Sequence, residues 1–86
     1  MRNLLFYACE NGLTPIVSKL IYDGMVDIHD QDGDAALLWA SHNGHLEVVK
    51  LLLEKGVDVY IYENCALRWA RDNGHVEVAR LLEQYM

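Results

Sequence analysis

Cysteine is scarce in this sequence: Cys9 and Cys65 are the two in 86 residues. Two cysteines, each inside an apolar stretch, do not make a disulfide framework. Long hydrophobic runs are missing as well. No stretch approaches the roughly 18 apolar residues of a membrane span. Basic side chains are few, with 7 Lys and Arg against 13 Asp and Glu, for a net charge of −6. That balance argues against general nucleic-acid binding, which needs Lys and Arg against phosphate. It argues equally against docking on an anionic membrane surface. A basic or neutral protein partner fits better. No secretory signal opens the sequence, since Met1-Arg2-Asn3 leads straight into a short apolar run that ends by Cys9 and Glu10. There is no Asn-x-Ser/Thr acceptor. The expected setting is reducing and intracellular, in the cytoplasm.

What is present is periodicity. About half of the residues are apolar (52%), as in a globular protein. A single compact core of this size would be marginal, but a stack of small units avoids the limit because each unit is stabilised by its neighbours. The segment Trp39-Ala40-Ser41-His42-Asn43-Gly44-His45-Leu46-Glu47-Val48-Val49-Lys50-Leu51-Leu52 recurs 30 residues on, from Trp69 to Leu82. A weaker copy starts 32 residues before it, at Tyr7-Ala8-Cys9-Glu10-Asn11-Gly12. The spacing divides the chain into one domain of three units, at about 1–32, 33–62 and 63–86.

Each unit reads as two short helices. Gly12, Gly44 and Gly74 sit where the first helix stops, and glycine takes the left-handed position after a helix without a Cβ penalty. Glu47 and Glu77 fall in the first turn of the second helix, where a carboxylate suits the dipole. In the first unit Thr14 is the expected N-cap, with Pro15 at the first helical position. Apolar residues at helical spacing follow: Ile16, Val17, Leu20 and Ile21, then Val48, Val49, Leu52 and Leu53, then Val78, Ala79 and Leu82. Ala8, Ala40 and Ala70 occupy one equivalent site, where a larger side chain would push helices apart. The segments 26–34 and 57–64 are partly alternating and read as projecting hairpin loops, the second shorter than the first.

The run Asn-Gly-His-Leu-Glu-Val-Val-Lys-Leu-Leu-Leu-Glu-Lys-Gly-Val-Asp-Val at 43–59 closely resembles the ankyrin repeat. The resemblance covers essentially the whole chain, and is clearest in the middle unit. The usual Thr-Pro-Leu-His opening is missing from every unit, and the spacing falls short of the common 33 residues. Asn64-Cys65-Ala66-Leu67-Arg68-Trp69-Ala70 with its 30-residue step is similar to the divergent ankyrin arrays of giant DNA viruses. The resemblance implies an all-α ankyrin repeat solenoid with short β-hairpin loops, and a protein–protein interaction module without catalysis or cofactor. It implies a partner-binding surface made of hairpin tips and first-helix ends. Carried onto this chain, the tips are Gln31, Asp32 and Asp34, then Tyr60, Tyr62, Glu63 and Asn64. The helix ends are His42 and Asn43, then Asp72 and Asn73, with Glu10 and Asn11 as their equivalents. Tyrosine suits such a tip because it brings contact area at low entropic cost.

Sharper chemistry finds little support. His45 and His75 occupy one repeat position and read as structural, for example through a hydrogen bond to a neighbouring loop. No Cys-x-x-Cys or His-x-x-x-His pair suggests zinc. The run Asp30-Gln31-Asp32-Gly33-Asp34 lacks the glycine and glutamate register of a calcium loop and reads as a solvated turn or an acidic contact for a basic partner. Trp39 and Trp69 read as packing residues rather than a ligand platform. Cys9 and Cys65 read as small buried hydrophobes. Neither a phosphate loop nor a nucleophile elbow appears. Finally, Leu4-Leu5-Phe6-Tyr7 has little chain before it to cover its apolar side chains. Terminal repeats need a polar outer face, so self-association at that end is the rival role, giving a homo-oligomer through the first repeat.

Overall fold

In a computed structural model the chain is described over residues 4–24 and 31–86, without the side chains of Gln31, Asp32 and residues 61–63. Among the described residues six helices follow one another: α1 (Leu4–Glu10), α2 (Thr14–Tyr22), α3 (Gln31–His42), α4 (Leu46–Glu54), α5 (Ile61–Asp72) and α6 (Val76–Gln84). Among the described residues there is no strand. They pair as α1/α2, α3/α4 and α5/α6, and the three pairs stack in chain order.

The corner inside each pair is built the same way. Gly12, Gly44 and Gly74 have φ of 68, 76 and 76°. The amide of the next residue reaches back across the turn: Leu13 to Ala8 O (2.9 Å), His45 to Ala40 O (3.0 Å) and His75 to Ala70 O (2.8 Å). This is the six-to-one bond of a Schellman closure, which satisfies carbonyls the helix end leaves free. The preceding asparagine helps. Asn11, Asn43 and Asn73 each donate Nδ2 to the carbonyl four residues back, on Tyr7, Trp39 and Trp69, at 2.8, 3.0 and 2.8 Å. The N-cap of α2 is Leu13, and Thr14 is already helical, with its hydroxyl donated weakly to Gly12 O at 3.5 Å. The closure recruits the residue right after the glycine, which moves the helix start one residue before the position expected for Thr14.

The core runs through all three layers. Ala8, Ala40 and Ala70 are fully buried, as are Val17, Val49, Leu52 and Leu82. First helices pack more extensively on first helices (α1 on α3, α3 on α5) than second helices do on second helices. Alanines bring the first helices close, whereas Val and Leu hold the second helices apart. The stack therefore curves, with α1, α3 and α5 on its inner side.

The described parts of the expected hairpin fingers belong to helices and a turn. Residues 25–30 of the first lie outside the described residues, and Gln31, Asp32 and Asp34 belong to α3. In the second, 57–60 forms a turn and Tyr62, Glu63 and Asn64 belong to α5. Val57 and Val59 are buried in the core, so their alternation reflects two inward-facing side chains of a turn rather than a strand.

Two histidines stitch the layers. His45 Nε2 meets the carbonyl of Glu10 at 2.6 Å, and His75 Nε2 meets that of His42 at 3.0 Å. Each ring lies on the corner glycine of the layer before. A Cβ on Gly12 would come within 2.6 Å of His45 Nδ1, and one on Gly44 within 2.5 Å of His75 Nδ1, while one on Gly74 would meet nothing within 4 Å. The bond to the Glu10 carbonyl needs a proton on Nε2, which donates it. Burial first, and the nearby His75 second, lower the His45 pKa from its ordinary value.

The two ends of the stack differ. The position of Cys9 and Ser41, both buried, is Arg71 in the last layer, and that of Ile21 and Leu53 is Glu83. Arg71 and Glu83 are exposed and ion-paired across α5 and α6. The outer face of this layer is therefore polar. At the other end Ile16 is 39% exposed, whereas its equivalents Val48 and Val78 are at 0% and 2% beneath the preceding layer.

Candidate recognition face

The inner helices carry an aromatic stripe. Tyr7, Trp39 and Trp69 precede the equivalent alanines, so a helical step of about 100° turns them just off the buried line. Tyr7 is 54% exposed and Trp39 36%, with Trp69 less open. The indoles meet edge-on, with ring centroids 6.3 Å apart at 61°. His42 lies against both, 6.0 Å from Trp39 and 5.4 Å from Trp69. Such tilted contacts suit the quadrupoles of aromatic rings. Asn73 Nδ2 lies 3.2 Å from His42 Nδ1 and orients the imidazole. The result is a rigid, half-exposed cluster crossing from α3 to α5.

The residues expected to bind a partner divide between two ends of this face. His42, Asn43, Asp72 and Asn73 gather at the corner end, beside the indoles. Asn43 and Asn73 also close their own helices. Tyr60, Tyr62, Glu63 and Asn64 stand at the opposite end of α5, 12 residues long, or roughly 18 Å at 1.5 Å per residue. Tyr60 precedes α5, with its amide on Asp58 Oδ1 (2.8 Å) and its hydroxyl donated to Met86 O (2.9 Å). The bond ties its hydroxyl to the segment after α6, while the residue stays 52% exposed. Asn64 has φ of 65°, a left-handed conformation that asparagine tolerates better than most residues. Gln31, Asp32 and Asp34 open α3, and Asp34 is partly buried and engaged with its surroundings.

Sequence reasoning assigned Trp39 and Trp69 to packing and did not single out Tyr7. The missing signal was phase. The alanine at the next position marks the buried line, so the aromatic beside it must point partly outward. Among the described residues no group of three His, Cys, Asp or Glu side chains is placed to hold a metal ion, and no helix is long and apolar enough to cross a membrane. Both cysteines are free thiols. Cys9 is buried, and that burial pushes its pKa up to about 12.

Three stacked helix pairs, glycine corners and an exposed inner face define a helical repeat scaffold of the recognition type. The chain belongs to the ankyrin repeat family: residues 5–85 match the family described as Ankyrin repeats (3 copies). Ankyrin repeats are a non-catalytic module that mediates protein–protein interaction. Among similar proteins is the ankyrin repeat protein L45 of Acanthamoeba polyphaga mimivirus, 40% identical over 74 residues, covering 74% of this chain and 32% of that protein. Ankyrin repeat domain-containing protein 29 of Danio rerio is 34% identical over 61 residues, covering 69% of this chain and 20% of that one. Palmitoyltransferase AKR1 of Naumovozyma castellii is 43% identical over 54 residues, but this covers 60% of the chain and 7% of the transferase. The chain thus spans a third or less of these three relatives.

Proposed function

We propose that this chain binds a partner protein through the inner face of the stack, at the corner end of the first helices. The observation that carries the reading is the stripe of Tyr7, Trp39 and Trp69, partly exposed at equivalent positions and flanked by His42, Asn43, Asp72 and Asn73. Large apolar groups left in view on one rigid face mark interaction surfaces. Helix-borne rings lose little freedom on docking, so a modest contact area binds usefully. The other candidates, Gln31, Asp32 and Asp34 with Tyr60, Tyr62, Glu63 and Asn64, belong to the opposite ends of α3 and α5 and are proposed as further contacts. A reducing, cytoplasmic setting suits the two free thiols. The test is affinity enrichment followed by measured binding of an identified partner. Trp39→Ala with His42→Ala should weaken it at least about ten-fold, while Glu47→Gln with Lys50→Ala on the outer helix α4 should not. Full affinity in the first variant, with the fold intact, would remove the assignment.

A second reading is self-association at the first layer. Leu4, Pro15, Ile16, Lys19 and Leu20 line an apolar groove of about 390 Å³ there. Ile16 keeps in view what Val48 and Val78 bury against a preceding layer. Sedimentation over a concentration series should show a dimer that Ile16→Glu abolishes; a monomer at every concentration would exclude this role.

A further inference from the structure

We propose that the segment docking on the aromatic stripe is cationic, an arginine- or lysine-bearing stretch of the partner stacked on Trp39 and Trp69. The proposal rests on the inner face being the docking face, and adds the chemistry of its occupant.

Charge is divided between the two sides of the stack. Helices α1 and α3 contain no Lys or Arg, but include Glu10, Asp32 and Asp34. Helix α5 ends on the exposed Asp72, beside the corner where Trp69 and His42 meet. Its arginines belong to the end of the stack, because Arg68 and Arg71 take the positions of Leu38 and Ser41, and Arg71 is paired with Glu83. On the outer side Lys19 lies in α2, Lys50 in α4, Lys55 at the end of α4 and Arg80 in α6. A face with aromatic rings, carboxylates at its corners and no basic side chain in two of its three helices complements a cation. A ring face attracts a guanidinium or ammonium through its quadrupole, and the net charge of −6 draws such a partner in. The same chemistry already occurs on the outer side, where Lys55 Nζ sits 4.2 Å from the centre of the Tyr22 ring. On the inner side α1 and α3 supply no such residue, which leaves the stripe to a cation from the partner across those two helices.

The test uses the chain's two tryptophans as reporters, because both lie in the stripe. The chain is titrated with hexa-arginine, hexa-lysine and hexa-glutamate peptides at near-physiological salt, and indole emission is followed. Saturable quenching by the cationic peptides, stronger for arginine, is the expected result. Asp72→Asn, an exposed substitution that leaves the fold in place, should weaken the arginine peptide at least about three-fold, and Trp69→Leu about ten-fold. The control Glu47→Gln with Glu77→Gln, on the outer helices, should leave it within about two-fold. Quenching by the glutamate peptide at equal strength would overturn the cationic assignment while leaving the inner face as the docking face. Equal losses in Asp72→Asn and the outer control would overturn it too, since whole-chain charge would then explain the binding. No emission change with any peptide would likewise overturn it. Failure of the inner-face reading itself shows separately, in the affinity of a whole-protein partner for the Trp39 and His42 variants.

Discussion

Replacing Gly44 and Gly74 in turn by alanine separates two costs that usually come together. Both glycines have φ of 76°, so both substitutions force alanine into the left-handed region. That strain costs about 1–2 kcal/mol, and the stiffer unfolded chain returns roughly 0.4–1 kcal/mol. Gly74→Ala, with nothing within 4 Å of the new Cβ, should therefore cost about 1 kcal/mol. Gly44→Ala has the same strain and one more problem. Its Cβ would stand 2.5, 2.6 and 2.8 Å from Nδ1, Cε1 and Cγ of His75. Cγ cannot swing clear by a small torsion, so the whole ring must leave. Departure breaks the 3.0 Å bond to His42 O, which costs about 1 kcal/mol, and repacking of the corner adds about another 1 kcal/mol. Gly44→Ala should then cost about 3 kcal/mol in all, or at least about 10 °C in Tm. Urea unfolding followed by far-UV circular dichroism measures both variants, and an unchanged m-value keeps the comparison in the native state. The decisive step is a double-mutant cycle with His75→Ala. Without the ring, Gly44→Ala should cost no more than Gly74→Ala, a coupling of about 2 kcal/mol. Equal costs for the two single variants, or strict additivity in the cycle, would show that the histidine stitch does not require its glycine.

Three further outcomes follow from the same coordinates. Stability should fall on acidification: the His45 pKa is lowered in the fold, so the unfolded chain takes up the proton first, near its ordinary value of 6.5. The contribution of neutral His45 is complete above that pH and is lost as pH drops through the lowered value, so urea midpoints at about pH 7.5 and 5 should differ less in His45→Gln than in the parent. Cys9, buried and with its thiol pushed up to about 12, should resist thiol reagents until the chain opens, whereas the partly exposed Cys65 should react first; mass mapping of singly labelled protein checks the order. Converting the last layer to inner-layer residues, Arg71→Ser with Glu83→Leu, removes an exposed ion pair worth under about 1 kcal/mol but should create a sticky end, seen as concentration-dependent mass in sedimentation.

Much of this was legible along the chain. The recurrence of Trp-Ala-x-x-Asn-Gly-His located three helix pairs, because a repeat that uses the same corner must use the same glycine. A structural task for His45 and His75 followed from their shared position. In the second expected loop Val57 and Val59 alternate as strand residues do, yet here they serve a buried turn. The binding candidates were read as hairpin tips and helix ends of one surface, and α5 runs its full length between Tyr60 and Asn73.

The sequence alone determined the architecture and its period, since glycine at a left-handed corner and alanine at a close helix contact are requirements of single residues. Only the tertiary structure decided which residues face outward and which hold the layers together. Tyr7, Trp39 and Trp69 become a stripe when first helices pack side by side, and Tyr60 is tied down by a carbonyl 26 residues away. Gly74 differs from Gly44 for the same reason: one supports a histidine from the next layer, and the other does not. Those relations depend on distances between layers, and residue identity carries distances only after the chain has folded.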